Sequence, residues 1–257
     1  MPDGGKLFFE RFDGFGANMR LVVKDNVKAA LSNSPLFLGV LDAAVQMALE
    51  AATIRTYAAE TDIFHEDDAG EAVYLITEGR VKVSRANLEG RERIFTILTP
   101  PEVLGEMAVI NHSPRTATAH CLDRVTTVVL YRDDLRAIME RHPGVLWNLA
   151  GILVKRLADM NREVEMLSFS STAACVAYAL QSLHLRGAFK PGREGLPTLE
   201  FTHQDLANRT GNSRETITRV LKDLERDGII KTRPGMISLL NPAALEDVIY
   251  GLREQDE

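Results

Sequence analysis

Only two cysteines occur in the 257 residues, Cys121 and Cys175. They stand far apart and form no CxxC, which argues against a structural zinc, an iron–sulfur cluster or a disulfide framework. A reducing cytoplasm is the simplest location for such a chain. Long apolar runs are missing too. None approaches the roughly 20 residues that span a bilayer, so no membrane partner is expected. Residues 1–6 lack a charged n-region followed by an apolar core, and no signal peptide is visible. The six histidines are scattered. His65, His112 and His120 read as surface or packing residues. No nucleophile–base pair and no metal-ligand cluster supports an enzyme, so neither catalysis nor a metal is expected. An excess of positive charge is also absent. The net charge of −6 counts mildly against a nucleic-acid partner, although binding needs only a local basic face.

The composition is that of an ordinary soluble protein, 45% hydrophobic and 26% charged, and the length suggests about two domains. Residues 1–27 read as an extension. Gly4, Gly5, Gly14 and Gly16 break any regular pattern there, while Phe8, Phe9, Phe12 and Phe15 are apolar enough to dock on the body. Residues 28–52 carry short helical patterns, broken at Ser34-Pro35 and followed by the apolar set Val40, Leu41, Val45, Met47 and Leu49. The character then changes. Short β-type runs recur at 53–57, 62–64, 73–77, 81–84, 93–98, 116–122 and 126–131, punctuated by Gly70, Gly79, Gly90 and Gly105. Many short strands with regular turns predict a sandwich or barrel. Residues 101–113 interrupt the pairing.

Pro143 opens a long helical pattern that runs to about residue 167. Within it Leu146, Ala150, Leu153, Leu157, Met160, Val164 and Leu167 are spaced 4, 3, 4, 3, 4, 3, an a/d seam over three heptads. Such a helix either packs on its own domain or pairs with a second copy. The narrow seam, flanked by Asp159, Arg162, Glu163 and Glu165, favours a homodimer. Phe169 to Thr172 break the pattern and form a hinge. Residues 173–186 give another apolar helix, and residues 187–197 read as a loop. A helical, acidic tail follows Pro242, with no function assigned.

Between hinge and tail lies a constellation with the chemistry of a groove reader. Thr202 can cap a helix, with Asp205 three residues on answering the cap backbone. Ala207 and Gly211 are four apart, which suits a close helix–helix approach and a tight turn. Ser213 caps a second helix. On that helix Ile217, Leu221 and Leu224 share one face, while Arg214, Glu215, Thr218, Arg219 and Lys222 share the other. Arg is the natural partner of guanine and Glu of the cytosine amino group. Residues 229–232 and 236–240 bracket Arg233-Pro234-Gly235, which reads as a β-wing. From Arg209 to Arg233 seven Lys/Arg stand against four Asp/Glu, so the local sign is basic. The competing reading is a surface helix laced with i,i+4 pairs such as Glu215–Arg219.

A second constellation suits a phosphate. Gly105-Glu106-Met107-Ala108 precedes Arg115-Thr116, with the arginine nine residues after the carboxylate. A carboxylate can accept two hydroxyl bonds, and an arginine can fork onto two phosphate oxygens. Free N–H groups at the start of a short helix favour the same anion. A purely structural Glu106–Arg115 ion pair is the alternative.

These residues resemble the cyclic-AMP receptor protein (catabolite activator) and Fnr superfamily of transcription regulators over roughly residues 33–243. The resemblance implies an α+β chain: a cyclic-nucleotide-binding β-barrel of jelly-roll type, a long dimerisation helix and a winged helix-turn-helix. The expected boundaries are 1–27 for the extension, 28–142 for the nucleotide domain, 143–168 for the helix, 169–243 for the DNA-binding domain and 244–257 for the tail. By the same resemblance Glu106 binds the ribose hydroxyl, aided by backbone at Gly105, Met107 and Ala108. Arg115 binds the cyclic phosphate, with Thr116 beside it. Met160 and Asn161 approach the purine, one from each subunit. Arg214, Glu215 and Arg219 read bases. Lys222 joins them on that face, and Ser213, Thr216, His203 and Arg233 hold phosphates. Partners implied are double-stranded DNA with palindromic TGTGA-type half-sites, a second copy of the chain and RNA polymerase. The effector implied is cyclic AMP. Cyclic GMP is the alternative, because Thr116 can accept the guanine amino group. A regulator of the same fold that needs no ligand, or is gated by another signal, is the other. Ala59 stands where the family usually has Gly, Met160 where it often has Thr, and the cysteine ligands of the iron–sulfur branch are absent.

Overall fold

The structure is a computed structural model that describes residues 8–10, 17–87, 89–192 and 195–252. Phe12, Phe15, the glycines expected to break residues 1–16 and the end of the acidic tail lie outside the described residues. The elements in chain order begin with β1 (Phe8–Glu10), α1 (Ala17–Asn33), α2 (Asp42–Ala51), β2 (Thr53–Tyr57), β3 (Asp62–Phe64), β4 (Ala72–Glu78), β5 (Val81–Ala86), β6 (Glu92–Leu98) and β7 (Val103–Leu104). They continue with α3 (Glu106–Asn111), β8 (Thr118–Cys121), β9 (Val125–Tyr131), α4 (Arg132–Arg141), α5 (Pro143–Phe169) and α6 (Thr172–Leu185). The last are β10 (Lys190–Pro191), β11 (Pro197–Glu200), α7 (His203–Thr210), α8 (Arg214–Arg226), β12 (Ile230–Arg233), β13 (Met236–Leu239) and α9 (Ala244–Tyr250). The chain divides into two compact units, Met1–Arg85 with Leu98–Leu157, and Ala86–Ile97 with Ala158–Glu257.

The first unit is built on a sheet of order β1-β2-β9-β4-β7 and on the neighbouring strands β3-β8-β5. Strand β4 shows why the sandwich holds. Its Ala72, Tyr74 and Ile76 point into one core with Tyr57, Val81, Leu104, Val125 and Val129. Its Val73 and Leu75 point into a second core with Val45 and Leu49 of α2, Leu135 and Ile138 of α4, and Val145 and Leu149 of α5. A strand covered on both faces reads as a continuous apolar run, which is the pattern at 73–77. The sandwich of jelly-roll type and the α+β class are as the sequence implied.

Helix α5 is two-faced. Val145 and Leu149 are buried in the second core, with Ile152 packed against it. Leu146, Ala150, Leu157, Met160, Val164 and Leu167 of the heptad seam are exposed, and Leu153 is half-buried.

In the second unit α6 packs on α7, α8 and α9. Ser171 caps α6 by accepting from the Ala174 N–H at 3.2 Å. Strands form a sheet of order β10-β11-β13-β12. The β12–β13 hairpin registers Arg233 against Met236, which is the wing expected from Arg233-Pro234-Gly235.

The elements fall as follows against the expected boundaries. Helix α1 starts at Ala17 and runs across the boundary at 27, because no glycine or proline falls between 17 and 33, and β1 pairs with β2. Residues 101–113 hold β7 and α3, and the expected loop at 187–197 contains β10 and the start of β11, which pairs with β13. The helix expected to end at 168 runs to Phe169. The boundary at 243 cuts off α9, whose Leu245 is fully buried and which packs on α6. Residues 86–97, assigned to the nucleotide domain, cluster with the second unit, where Asn208 Nδ2 donates to Glu92 Oε2 at 3.4 Å.

Candidate functional site

Strand β7 delivers the chain to Gly105, whose φ of +82° is a left-handed turn that begins α3. A Cβ there would stand 2.5 Å from Arg115 Nη1 and 3.1 Å from the Ala72 carbonyl, so only glycine lets the turn lie against the guanidinium. Glu106 follows as the first residue of α3 and is 1% exposed. Ala108 is buried beside it, while Met107 and Thr116 are exposed.

Arg115 is 3% exposed. Its backbone is fixed on both sides, N–H donating to Asp68 O at 2.9 Å and C=O accepting from Asp67 N at 3.0 Å. Nη1 donates to Gly105 O at 2.8 Å and Nη2 to Ala72 O at 2.8 Å. The guanidinium stacks on Phe64, 4.3 Å from the ring centroid, with Tyr74 at 5.5 Å. Its Nε is buried without a hydrogen-bond partner. Burial presses the Arg115 pKa down, opposed by Tyr74, Asp68 and Glu106. A buried cation with an unanswered N–H is a costly arrangement unless an anion completes it.

The two side chains do not form an ion pair with each other. Glu106 Oε1 accepts from Arg156 Nη1 on α5, and Arg156 Nη2 donates to Val103 O. The structural Glu106–Arg115 pair considered from spacing is therefore corrected: the carboxylate goes to α5 and the guanidinium to backbone carbonyls. Sequence reasoning missed Arg156. Its only local signal is its place one helical turn before Met160. It also missed the Phe64–Tyr74 platform, whose signal is an aromatic pointing inward from each of two strands. Met160 and Asn161 are exposed on α5 and belong to the second unit.

In the second unit Thr202 and Asp205 form the expected capping box on α7, and Gly211 ends that helix at φ +72° with its N–H on Ala207 O. Ser213 Oγ accepts from Thr216 N at 3.2 Å and caps α8. Ile217, Leu221 and Leu224 are buried, while Arg214, Glu215, Arg219 and Lys222 are exposed on the opposite face and Thr216 is half-buried. The N–H at the start of α8 and the Ser213 hydroxyl hold the Glu215 carboxyl below the usual carboxylate range. His203 bonds Thr218 Oγ1 at 2.9 Å through Nδ1, and Thr218 Oγ1 donates to Arg214 O at 2.8 Å, which ties the start of α7 to α8. Arg233 is exposed at the wing. Among the described residues no group of His, Cys, Asp and Glu is arranged to hold a metal ion, and no helix is long and apolar enough to cross a membrane.

The cyclic nucleotide-binding domain family matches residues 54–142, and the Crp-like helix-turn-helix domain family matches residues 176–248. With the two folds described above, these matches define a DNA-binding transcription regulator with a cyclic-nucleotide-binding domain. The cyclic AMP receptor protein of Thermus thermophilus is 36% identical over 223 residues, covering 86% of this chain and 100% of that protein. The CRP-like cAMP-activated global transcriptional regulator of Mycobacterium tuberculosis is 29% identical over 201 residues, covering 78% of this chain and 90% of its own. Among solved structures, a CRP/FNR-family transcriptional regulator from Thermus thermophilus matches at 26% identity with TM-score 0.66, over 77% of this chain and 98% of its own. The chain belongs to the Crp/Fnr superfamily.

Proposed function

We propose that the chain is a cytoplasmic regulator gated by a cyclic nucleotide, cyclic AMP in preference to cyclic GMP, that binds palindromic DNA as a homodimer. The observation that carries the gating is the buried Arg115 guanidinium with its unpartnered Nε, beside the buried carboxylate of Glu106. Arg115 takes the cyclic phosphate with Thr116, and Glu106 takes the ribose hydroxyl with the backbone at Gly105, Met107 and Ala108. Met160 and Asn161 meet the purine from α5. The names of the Thermus and Mycobacterium relatives, a cyclic AMP receptor and a cAMP-activated regulator, support the choice of nucleotide.

The exposed seam of α5, from Leu146 through Ala150, Leu153, Leu157, Met160 and Val164 to Leu167, is the dimer contact. It sets two α8 helices about one DNA turn apart, roughly 34–36 Å. Arg214, Glu215, Arg219 and Lys222 then face bases, while His203, Ser213, Thr216 and Arg233 serve phosphates. RNA polymerase is the further partner, and no catalytic step is assigned. A tenfold change in DNA affinity needs only about 1.4 kcal/mol of differential nucleotide binding between two states.

A DNA-shift assay with cyclic AMP, with cyclic GMP and with neither tests the reading. Retardation of a palindromic site is expected to need less protein with nucleotide than without it. The pairing of Glu106 with Arg156 favours a second reading, a ligand-independent regulator. Equal retardation in all three lanes, with no nucleotide binding by calorimetry up to millimolar concentration, selects that one.

Base reading has its own test. Arg219→Ala is expected to cost about 1–3 kcal/mol at a single base position. Fluorescence anisotropy over a panel of singly substituted sites measures it. A loss spread evenly over every position contradicts base contact.

A further inference from the structure

Glu163 carries two arginines on one oxygen. It lies on α5, three residues beyond Met160, in the unit formed by Ala86–Ile97 and Ala158–Glu257. Its Oε1 accepts from Arg209 Nη1, on the last turn of α7, and from Arg93 Nη2, on β6, at 3.3 Å. Arg209 is 6% exposed and Arg93 is 32% exposed. The Arg93 guanidinium also lies against the α7–α8 turn, its Nη1 only 2.9 Å from where a Cβ on Gly211 would stand. A second tie runs alongside, from Asn208 of α7 to Glu92 of β6.

One carboxylate cannot neutralise two guanidiniums. Burial lowers the pKa of Arg93; Glu163 opposes that fall, and the neighbouring Arg209 adds to it. The two bonds are also unequal. Arg93 is the more exposed of the two arginines, and its 3.3 Å contact lies beyond the usual N–H···O range. Glu163 is less than a helical turn from Met160, so any shift of α5 at Met160 carries Glu163 with it.

We propose that Glu163 is the positioning residue that couples α5 to the DNA-reading head, and that Arg93 is a releasable clamp on the same carboxylate. Arg209, buried and paired with Glu163, keeps α7 attached to α5. Arg93 and Glu92 hold the α7–α8 turn to β6 and restrain the seating of α8 in a groove. Displacement of Glu163 breaks the Arg93 bond and leaves the reading head to follow α5. The coupling to Met160 rests on the nucleotide-gated reading; the clamp itself does not.

The test is Arg93→Ala in the full chain, with DNA affinity measured by anisotropy on a palindromic site, without nucleotide and with saturating cyclic AMP. Nucleotide-free affinity is expected to rise about two- to fivefold, the size of a partly exposed ion pair, with saturated affinity unchanged. Loss of a cation by itself weakens DNA attraction, so a rise cannot come from bulk electrostatics. Arg93→Lys, which keeps a charge in reach of Glu163, is expected to restore most of the restraint. Unchanged or reduced nucleotide-free affinity in a folded Arg93→Ala variant overturns the clamp. A wild-type chain indifferent to nucleotide overturns the gating alone, because the rise in Arg93→Ala is read without nucleotide.

Discussion

Arg115→Ala is expected to lower cyclic-nucleotide affinity by about two to four orders of magnitude. The side chain makes two bonds to carbonyls and keeps a buried Nε unanswered. Each charge-assisted bond to a phosphate oxygen is worth about 1.5–3 kcal/mol, and two such bonds convert to that range. Arg115→Lys separates charge from geometry. A lysine keeps the cation but loses the planar fork, its stacking on Phe64 and at least one anchor to Gly105 O or Ala72 O. It is expected to recover only part of the affinity. Calorimetric titration with cyclic AMP and cyclic GMP measures both variants, with a thermal melt to confirm that the sandwich is folded. Wild-type affinity in folded Arg115→Ala removes the proposed phosphate site. Nucleotide-dependent DNA binding should vanish with it, and nucleotide-free DNA binding should not.

Leu157→Glu is expected to produce a monomer and to cost palindromic DNA affinity about 10²-fold or more. Leu157 is 58% exposed, Met160 63% and Val164 61%, on one stripe of α5. In a symmetric pairing the same stripe faces its own copy, so the substitution places two carboxylates against each other in an apolar seam. Neither has a partner there, and burying an unpaired charge costs several kcal/mol. Two half-sites read by one dimer gain through effective concentration, commonly 10²–10⁴-fold, and a monomer forfeits that gain. Sedimentation velocity over a range of concentrations gives the assembly state, and anisotropy on full and half palindromes gives the DNA effect. A wild-type chain that stays monomeric throughout overturns the dimer. The inner face of α5, Val145 and Leu149, is untouched by the change, so the sandwich should still fold.

Much of the reading head could be anticipated because its signals are local. A cap and the residue it answers are three apart, as Thr202 and Asp205 show. The amphipathic split of α8 follows from helical period, and the β12–β13 hairpin from Pro234-Gly235. The strands were legible for a similar reason: apolar runs and turn residues act over five to seven positions, which is the length of β2, β4, β5 and β9. In the N-terminal segment no glycine or proline follows Gly16 before residue 33, and the chain is helical from Ala17.

By itself the sequence determined the α+β elements, the caps, the heptad stripe and the basic face of α8, because each follows from residue types a few positions apart. Only the tertiary structure decided who holds each charge. Glu106 found Arg156 fifty residues on, Glu163 found Arg93 at a separation of 70, and Asn208 found Glu92 at 116. No periodicity reaches across such distances. A buried charge takes whichever partner the packing brings within reach, and the packing is a property of the whole chain.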